Sequence, residues 1–229
     1  MVPPRHIHTF GLTGGLASGK SLVSEQLRLR GVPMIDADVL ARQAVAPGSE
    51  GLAEIAAQFP ADVVPGGVLD RKRLAAIVFA RPEERKRLEA IVHPRVQALR
   101  DARLRELEAA GEPLAGYEVP LLYEKGLQAE LHPVIVVHIP EAVQVARAMA
   151  RDGSTEAEAR ARLAAQLPLS DKERRADYAI DNSGSIELTR TATDAVLRAL
   201  CKELGVEPSR YFQAQSQESF GGGGSVNRA

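Results

Sequence analysis

Five short apolar runs punctuate the chain. Residues 7–12 alternate and then turn wholly apolar before a cluster of glycines, which predicts a strand running into a loop. Beyond the loop, Leu22, Val23, Leu27 and Leu29 recur at near-helical spacing until Gly31 stops the pattern. The second run, 32–35, ends on Asp36 and Asp38, and runs at 117–119, 134–139 and 178–180 complete the set. Short apolar runs separated by helical stretches predict an α/β fold with a five-stranded parallel sheet flanked by helices, wound by right-handed crossovers.

Between Asp38 and Gly111 the pattern offers only helical segments, at 52–59, 71–79 and 83–107. That stretch exceeds an ordinary crossover, so it reads as a helical insertion over 38–112, large enough to cover one side of a cleft. His93-Pro94 interrupts the third segment, where proline predicts a bend or a boundary. A second helical region over 143–168 breaks near Asp152-Gly153-Ser154 and carries Arg147, Arg151, Arg160 and Arg162. The core is then expected in three pieces, 8–37, 113–142 and 169–204. From about Val206 the periodicity decays into a segment rich in Gly, Ser and Gln, and residues 207–229 read as a flexible tail.

Composition narrows the partners. Lys and Arg number 29 against 30 Asp and Glu, so the chain lacks the global positive field on which non-specific nucleic-acid binding relies. A single cysteine, Cys201, excludes an intramolecular disulfide, a CxxC pair and a multi-cysteine zinc site, and it fits a reducing cytoplasm. On the last helix, among apolar neighbours, it reads as a core residue. No run is long and uncharged enough to span a bilayer, and MVPPRHIHTF lacks the apolar stretch of a signal peptide. The expected setting is cytoplasmic, with no membrane or nucleic-acid partner.

The chemistry begins in the glycine cluster. Gly14-Gly15-Leu16-Ala17-Ser18-Gly19-Lys20-Ser21 matches GxxxxGK[ST] between a predicted strand and a predicted helix. Glycines let successive backbone N–H groups turn toward phosphate oxygens, and the helix that starts there adds its positive dipole end. Lys20 is placed to reach the β- and γ-phosphates of ATP, and the Ser21 hydroxyl to ligate Mg²⁺. The nucleotide-binding set is Gly14, Gly15, Ala17, Ser18, Gly19, Lys20, Ser21 and Leu22. The loop alone leaves kinases, GTPases and motor ATPases open; an NKxD-type guanine reader is missing, since Asp181-Asn182 stands beside Ser183, and the kinase reading gains.

A kinase needs an acceptor-side base. Asp36 and Asp38 lie just past the second strand, at the carboxyl end where open α/β sheets bind ligands. Neighbours two apart at a strand end point to opposite faces, so one of the pair aims at the cleft while the other caps the following helix. Asp38 is the candidate base. For Asp36 a cap and a substrate contact are equal readings.

IDADVLAR after such a loop resembles dephospho-CoA kinases. Other blocks agree in order: Leu69-Asp70-Arg71 ahead of Phe79, Leu88-Glu89, Ile91-Val92-His93-Pro94, Val119-Pro120-Leu121-Leu122-Tyr123-Glu124, Arg147, Arg151-Asp152, Gln166, Ala176-Asp177-Tyr178 and Ile180-Asp181-Asn182. The resemblance covers residues 8–204. It implies transfer of the ATP γ-phosphate, with Mg²⁺, to the ribose 3′-hydroxyl of dephospho-CoA. It also implies a catalytic aspartate at Asp38, a helical acceptor-binding insertion at 38–112 and a lid over ATP at 143–168. The family usually has glycine at Ala17 and threonine at Leu22; both departures spare the phosphate-binding glycines and lysine.

Arg147 and Arg151 would share a helix face, and Arg147 is the candidate to touch the transferring phosphate. Arg42, His93 and Glu124 join Asp36 as acceptor-side candidates; a bend at His93 and a helix start at Glu124 are the structural alternatives. The expected particle is a monomer or weak homo-oligomer. Another small-molecule or nucleotide kinase, or a nucleotide-binding switch without transfer chemistry, would share the loop and differ in the acceptor.

Overall fold

The computed structural model describes residues 6–212 of the chain. Five parallel strands form one sheet in the order β2-β3-β1-β4-β5, with β1 His8–Gly14, β2 Met34–Asp36, β3 Leu114–Glu118, β4 Val134–His138 and β5 Tyr178–Asp181. The phosphate-loop strand β1 is therefore central, with β3 on one side and β4 on the other.

Alternation within the strands sorts the core into two faces. Phe10, Leu12, Ile135, Val137 and Ile180 pack with Val23 and Leu27 of α1 (Lys20–Leu29) and Leu197 and Leu200 of α9 (Ile186–Glu203). On the other face Ala115, Tyr117, Val134 and Val136 meet Leu99, Leu104 and Leu107 of α5 (Pro82–Ala109) and Leu169 of α8 (Leu169–Arg175).

Helices α2 (Ala37–Ala44), α3 (Glu50–Gln58), α4 (Arg71–Ala80) and α5 fill the chain between β2 and β3 and have their own apolar centre, built on Ile55, Phe59, Val63, Leu74 and Ile91. Asp36, Ser49 and Asp70 cap α2, α3 and α4 with side-chain oxygens, the residue types that best satisfy the free N–H groups of a first turn. Between β4 and α8, α6 (Glu141–Asp152) and α7 (Glu156–Ala164) meet at Gly153, and Thr155 with Glu158 forms a capping box at the start of α7.

Two expectations are corrected. His93-Pro94 is no helix boundary: α5 runs 28 residues, about 42 Å, with Pro94 inside it. Val96 and Leu99 dock on both apolar clusters, and this packing offsets the roughly 3 kcal/mol that an interior proline costs a helix. The Arg95 guanidinium donates to the Ile91 carbonyl at 2.7 Å, on the turn that the proline disturbs. Nor does order stop near Val206. Val206 and Tyr211 are buried against α9, and the guanidinium groups of Arg30 and Arg198 both lie over the Phe212 ring. A stretch too short to show a period still carries enough apolar surface to dock. The rest of the expected tail, 213–229, lies outside the described residues. Among the described residues no helix is long and apolar enough to cross a membrane.

Candidate active site

β1 ends at Gly14, and the chain turns through residues 15–19 into α1. Gly14 leaves no room for a side chain, because a Cβ would stand 2.8 Å from the Val137 carbonyl oxygen. Gly19, the N-cap of α1, has φ 82°, in the left-handed region, and a Cβ there would meet the Asn182 amide. Ala17 also lies in that region, with φ 54°, at a cost of about 1 kcal/mol.

Side chains from distant segments hold this loop. Asn182 Nδ2 donates to the Ser18 carbonyl at 2.8 Å, and Asn182 Oδ1 accepts from Thr189 Oγ1 at 2.8 Å. Gln144 of α6 donates to the Leu16 carbonyl at 3.1 Å, and Leu16 N–H donates to Gln166 Oε1 at 3.2 Å. The first turn of α1 has no acidic residue, so its dipole faces the loop uncompensated. This is a preorganised anion seat.

Lys20 forms an ion pair with Glu118, the last residue of β3, and Arg28 lies 3.8 Å from the other Glu118 oxygen. Glu118 is 5% exposed and stands in register with Leu12 of β1 and Asp36 of β2. Ser21 is exposed on the first turn of α1, next to this pair, and Leu22 N–H donates to the Gly19 carbonyl at 3.0 Å. The Ser21 hydroxyl and the Glu118 carboxylate are hard-oxygen groups of the kind Mg²⁺ takes.

The two aspartates divide as the strand-end geometry requires. Asp36 Oδ1 accepts the N–H groups of Asp38 (2.8 Å) and Val39 (3.2 Å), capping α2. Asp38 is exposed on the first turn of α2, and its carboxylate makes no hydrogen bond or ion pair among the described residues; Arg42 Nε donates to its backbone oxygen at 3.2 Å. One strand separates β2 from β1, so the two ends lie about 10 Å apart, two strand spacings. The Tyr117 hydroxyl on β3 has its pKa raised, chiefly by burial, which the opposing Arg100 guanidinium offsets only in part, with smaller upward contributions from Asp36, Asp101 and Asp38.

Arg147 of α6 has its Nη1 beside Gly19, 3.8 Å from where a Cβ would stand, and no carboxylate partner among the described residues. Its neighbours are committed. Arg151 and Arg162 bind Asp152 at 2.8 and 2.6 Å and hold its carboxyl well below the usual range, while Arg160 binds Glu156 and Glu141. A cleft of about 600 Å³ opens between Gly15, the strand ends at His138 and Asp181, and Gln144, Arg160 and Gln166.

Two of the remaining candidates, Arg42 and His93, lie on the insertion side. His93 Nε2 is 2.8 Å from the Lys125 ammonium, which can only donate, so the imidazole is neutral with its proton on Nδ1. Arg42 and His93 lie on α2 and α5, which pack together. Glu124 does not start a helix: its Oε1 accepts Leu167 N–H at 3.0 Å and pairs with buried Lys172 at 2.7 Å.

Residues 8–187 match the sequence profile described as "Dephospho-CoA kinase". The chain belongs to the dephospho-CoA kinase family. Relatives with that name include proteins of Anaeromyxobacter dehalogenans, 52% identical over 85% of this chain and 92% of the relative, and Geobacillus kaustophilus, 46% identical over 83% and 95%. A crystal structure from Thermus thermophilus superposes with a TM-score of 0.74 at 42% identity, covering 85% of this chain and 98% of that one. A dephospho-CoA kinase from Campylobacter jejuni gives 0.64 at 30% identity, covering 85% and 97%.

Within this dephospho-CoA kinase fold, four residues around the loop escaped the sequence reading of the site: Glu118, Gln144, Asn182 and Lys172. Glu118 had a signal, an acid inside an otherwise apolar strand. Asn182 drew notice as a failed guanine reader and within the Ile180-Asp181-Asn182 block of the resemblance, with no role at the loop. Gln144 and Lys172 are polar residues on helices, and nothing in their spacing announces burial.

Proposed function

We propose that this chain transfers the γ-phosphoryl group of ATP to the ribose 3′-hydroxyl of dephospho-CoA, giving coenzyme A and ADP, the last step of coenzyme A synthesis. The observation that carries the reading is the placement of an unpartnered carboxylate, Asp38, one strand away from a phosphate loop in a member of this family. ATP phosphates lie on the loop N–H groups and Lys20. The acceptor approaches from α2–α5, where Arg42 and His93 are the candidate contacts and Asp36 fixes the start of α2; Glu124, turned to Leu167 and Lys172, belongs to the lid side rather than to the acceptor.

Asp38 accepts the proton of the attacking hydroxyl as its oxygen bonds to the γ-phosphorus and the bond to the bridging oxygen of ADP breaks. Helices α6 and α7 form a lid, and Arg147 answers the charge that spreads over the transferring group. Ser21 and Glu118 would hold Mg²⁺, which when bound neutralises charge on the β- and γ-phosphates. The buried thiol of Cys201, pushed up to about 11 by burial, is inert and suits a cytoplasmic enzyme; the active unit is a monomer or weak homo-oligomer.

ADP release measured with dephospho-CoA, nucleosides and nucleotides as acceptors tests the reading. Turnover confined to dephospho-CoA is expected. Turnover with a nucleotide alone would reassign the acceptor, and ATP binding without any phosphorylated product would make the chain a switch.

A further inference from the structure

Lys172 is a fully buried ammonium to which the chemistry above gives no task. From α8 it reaches Glu124 Oε1 at 2.7 Å and donates to the Pro120 carbonyl at 3.3 Å. That carbonyl also accepts Thr13 Oγ1–H at 3.2 Å, from the residue before Gly14. The Glu124 oxygen also accepts Leu167 N–H at 3.0 Å, and the preceding residue, Gln166, accepts Leu16 N–H at 3.2 Å. The segment that joins α7 to α8 is thus held at one residue by the phosphate loop and at the next by a carboxylate whose charge Lys172 balances.

A lone ammonium removed from water is strongly unfavourable unless a carboxylate and hydrogen bonds satisfy it. An apolar residue of equal volume would fill the space without that cost, so packing alone does not explain the pair. What the pair adds is direction: it keeps Oε1 of Glu124 on the backbone of the segment where the α6–α7 unit ends.

We propose that Lys172, acting through Glu124, is a positioning residue that anchors the exit of the lid to the phosphate loop, so that Arg147 meets the transferring phosphate. This rests on the reading of α6–α7 as a lid over ATP. The lid has one root at Pro140, where α6 leaves β4, and the other at residues 165–168. Without the Lys172 charge, Glu124 turns to solvent, Leu167 N–H loses its acceptor and the second root loosens. Turnover depends on that root, because small misplacements of a catalytic group are costly. Acceptor binding by α2–α5 does not.

The test compares wild type with Glu124→Gln and with the double variant Glu124→Leu/Lys172→Met, which removes both charges and keeps apolar volume. The double variant should melt as a folded protein, with kcat for dephospho-CoA lowered about tenfold or more, its KM within about twofold of wild type, and faster amide exchange at 165–168. Wild-type kcat and exchange in the folded double variant would make the pair merely structural. Raised acceptor KM at unchanged kcat would place Glu124 on the acceptor instead. Should the double variant fail to fold, Glu124→Gln, which keeps the shape, carries the same comparison. Should wild type itself not turn over dephospho-CoA, the assigned reaction falls, and exchange at 165–168 with ATP present still decides the anchoring.

Discussion

The Lys20 ammonium of the phosphate loop is paired with the Glu118 carboxylate, whose side chain is only 7% exposed at the end of the neighbouring strand. Before nucleotide binds, each charge offsets the other. Once Lys20 turns to phosphate, Glu118 keeps only the half-exposed Arg28, 3.8 Å from its other oxygen, and a divalent ion beside Ser21 would supply a closer counter-charge. Glu118→Gln should therefore bind ATP in the absence of divalent ions at least as tightly as wild type, because Lys20 is released. Turnover with Mg²⁺ should fall about ten- to a hundredfold, the scale seen for outer partners of a metal site. Calorimetry in chelator and an ADP-release assay read the two effects; weaker metal-free binding would mean that Glu118 orients Lys20 for phosphate.

Asp36 and Asp38 should separate cleanly. Asp36→Ala removes the cap of α2 and should cost about 1 kcal/mol of stability in urea unfolding. Asp38→Asn should leave stability and ATP affinity unchanged while kcat falls about a hundredfold, the usual scale for a positioned base. Near-normal turnover in the Asp38 variant would remove it from that role.

His93 sets a pH dependence. Partial desolvation, and then the adjacent Lys125 ammonium, lower its pKa below the ordinary 6.5, with Glu89 opposing. The folded chain resists a proton that the unfolded chain accepts. The stability linked to this group is thus complete above 6.5 and is lost as pH falls through 6.5 toward the lower folded value. An NMR titration of the imidazole should show a midpoint below 6.5, and Lys125→Ala should raise it. His93→Gln should flatten the acid side of the stability profile; a midpoint that ignores Lys125 would discard the contact.

Tyr211 distinguishes a docked C-terminal segment from an unstructured one. At 3% exposure, packed with Leu200, Cys201 and Val206, it should cost about 3 kcal/mol when changed to alanine, read from the urea midpoint at constant slope. A surface residue in a loose tail would cost close to nothing.

The local pattern along the chain already determined the phosphate loop and the five strands, and it offered Asp36 as a cap for α2. Those features depend on neighbours: glycines at fixed offsets, apolar alternation, a capping residue at a strand end. The tertiary structure decided what pattern cannot carry. Pro94 stays inside α5 because clusters assembled from distant segments hold the helix on both sides of it. Val206 and Tyr211 are ordered because α9 offers them a surface. Glu118, Gln144, Asn182 and Lys172 gain meaning only once strand order and crossovers bring them to the loop, since burial and pairing are properties of the assembled chain and leave no period in the sequence. The phosphate grip was legible in one run of residues; what holds that grip in place comes from β3, α6, α8 and the turn after β5, and only the fold sets them side by side.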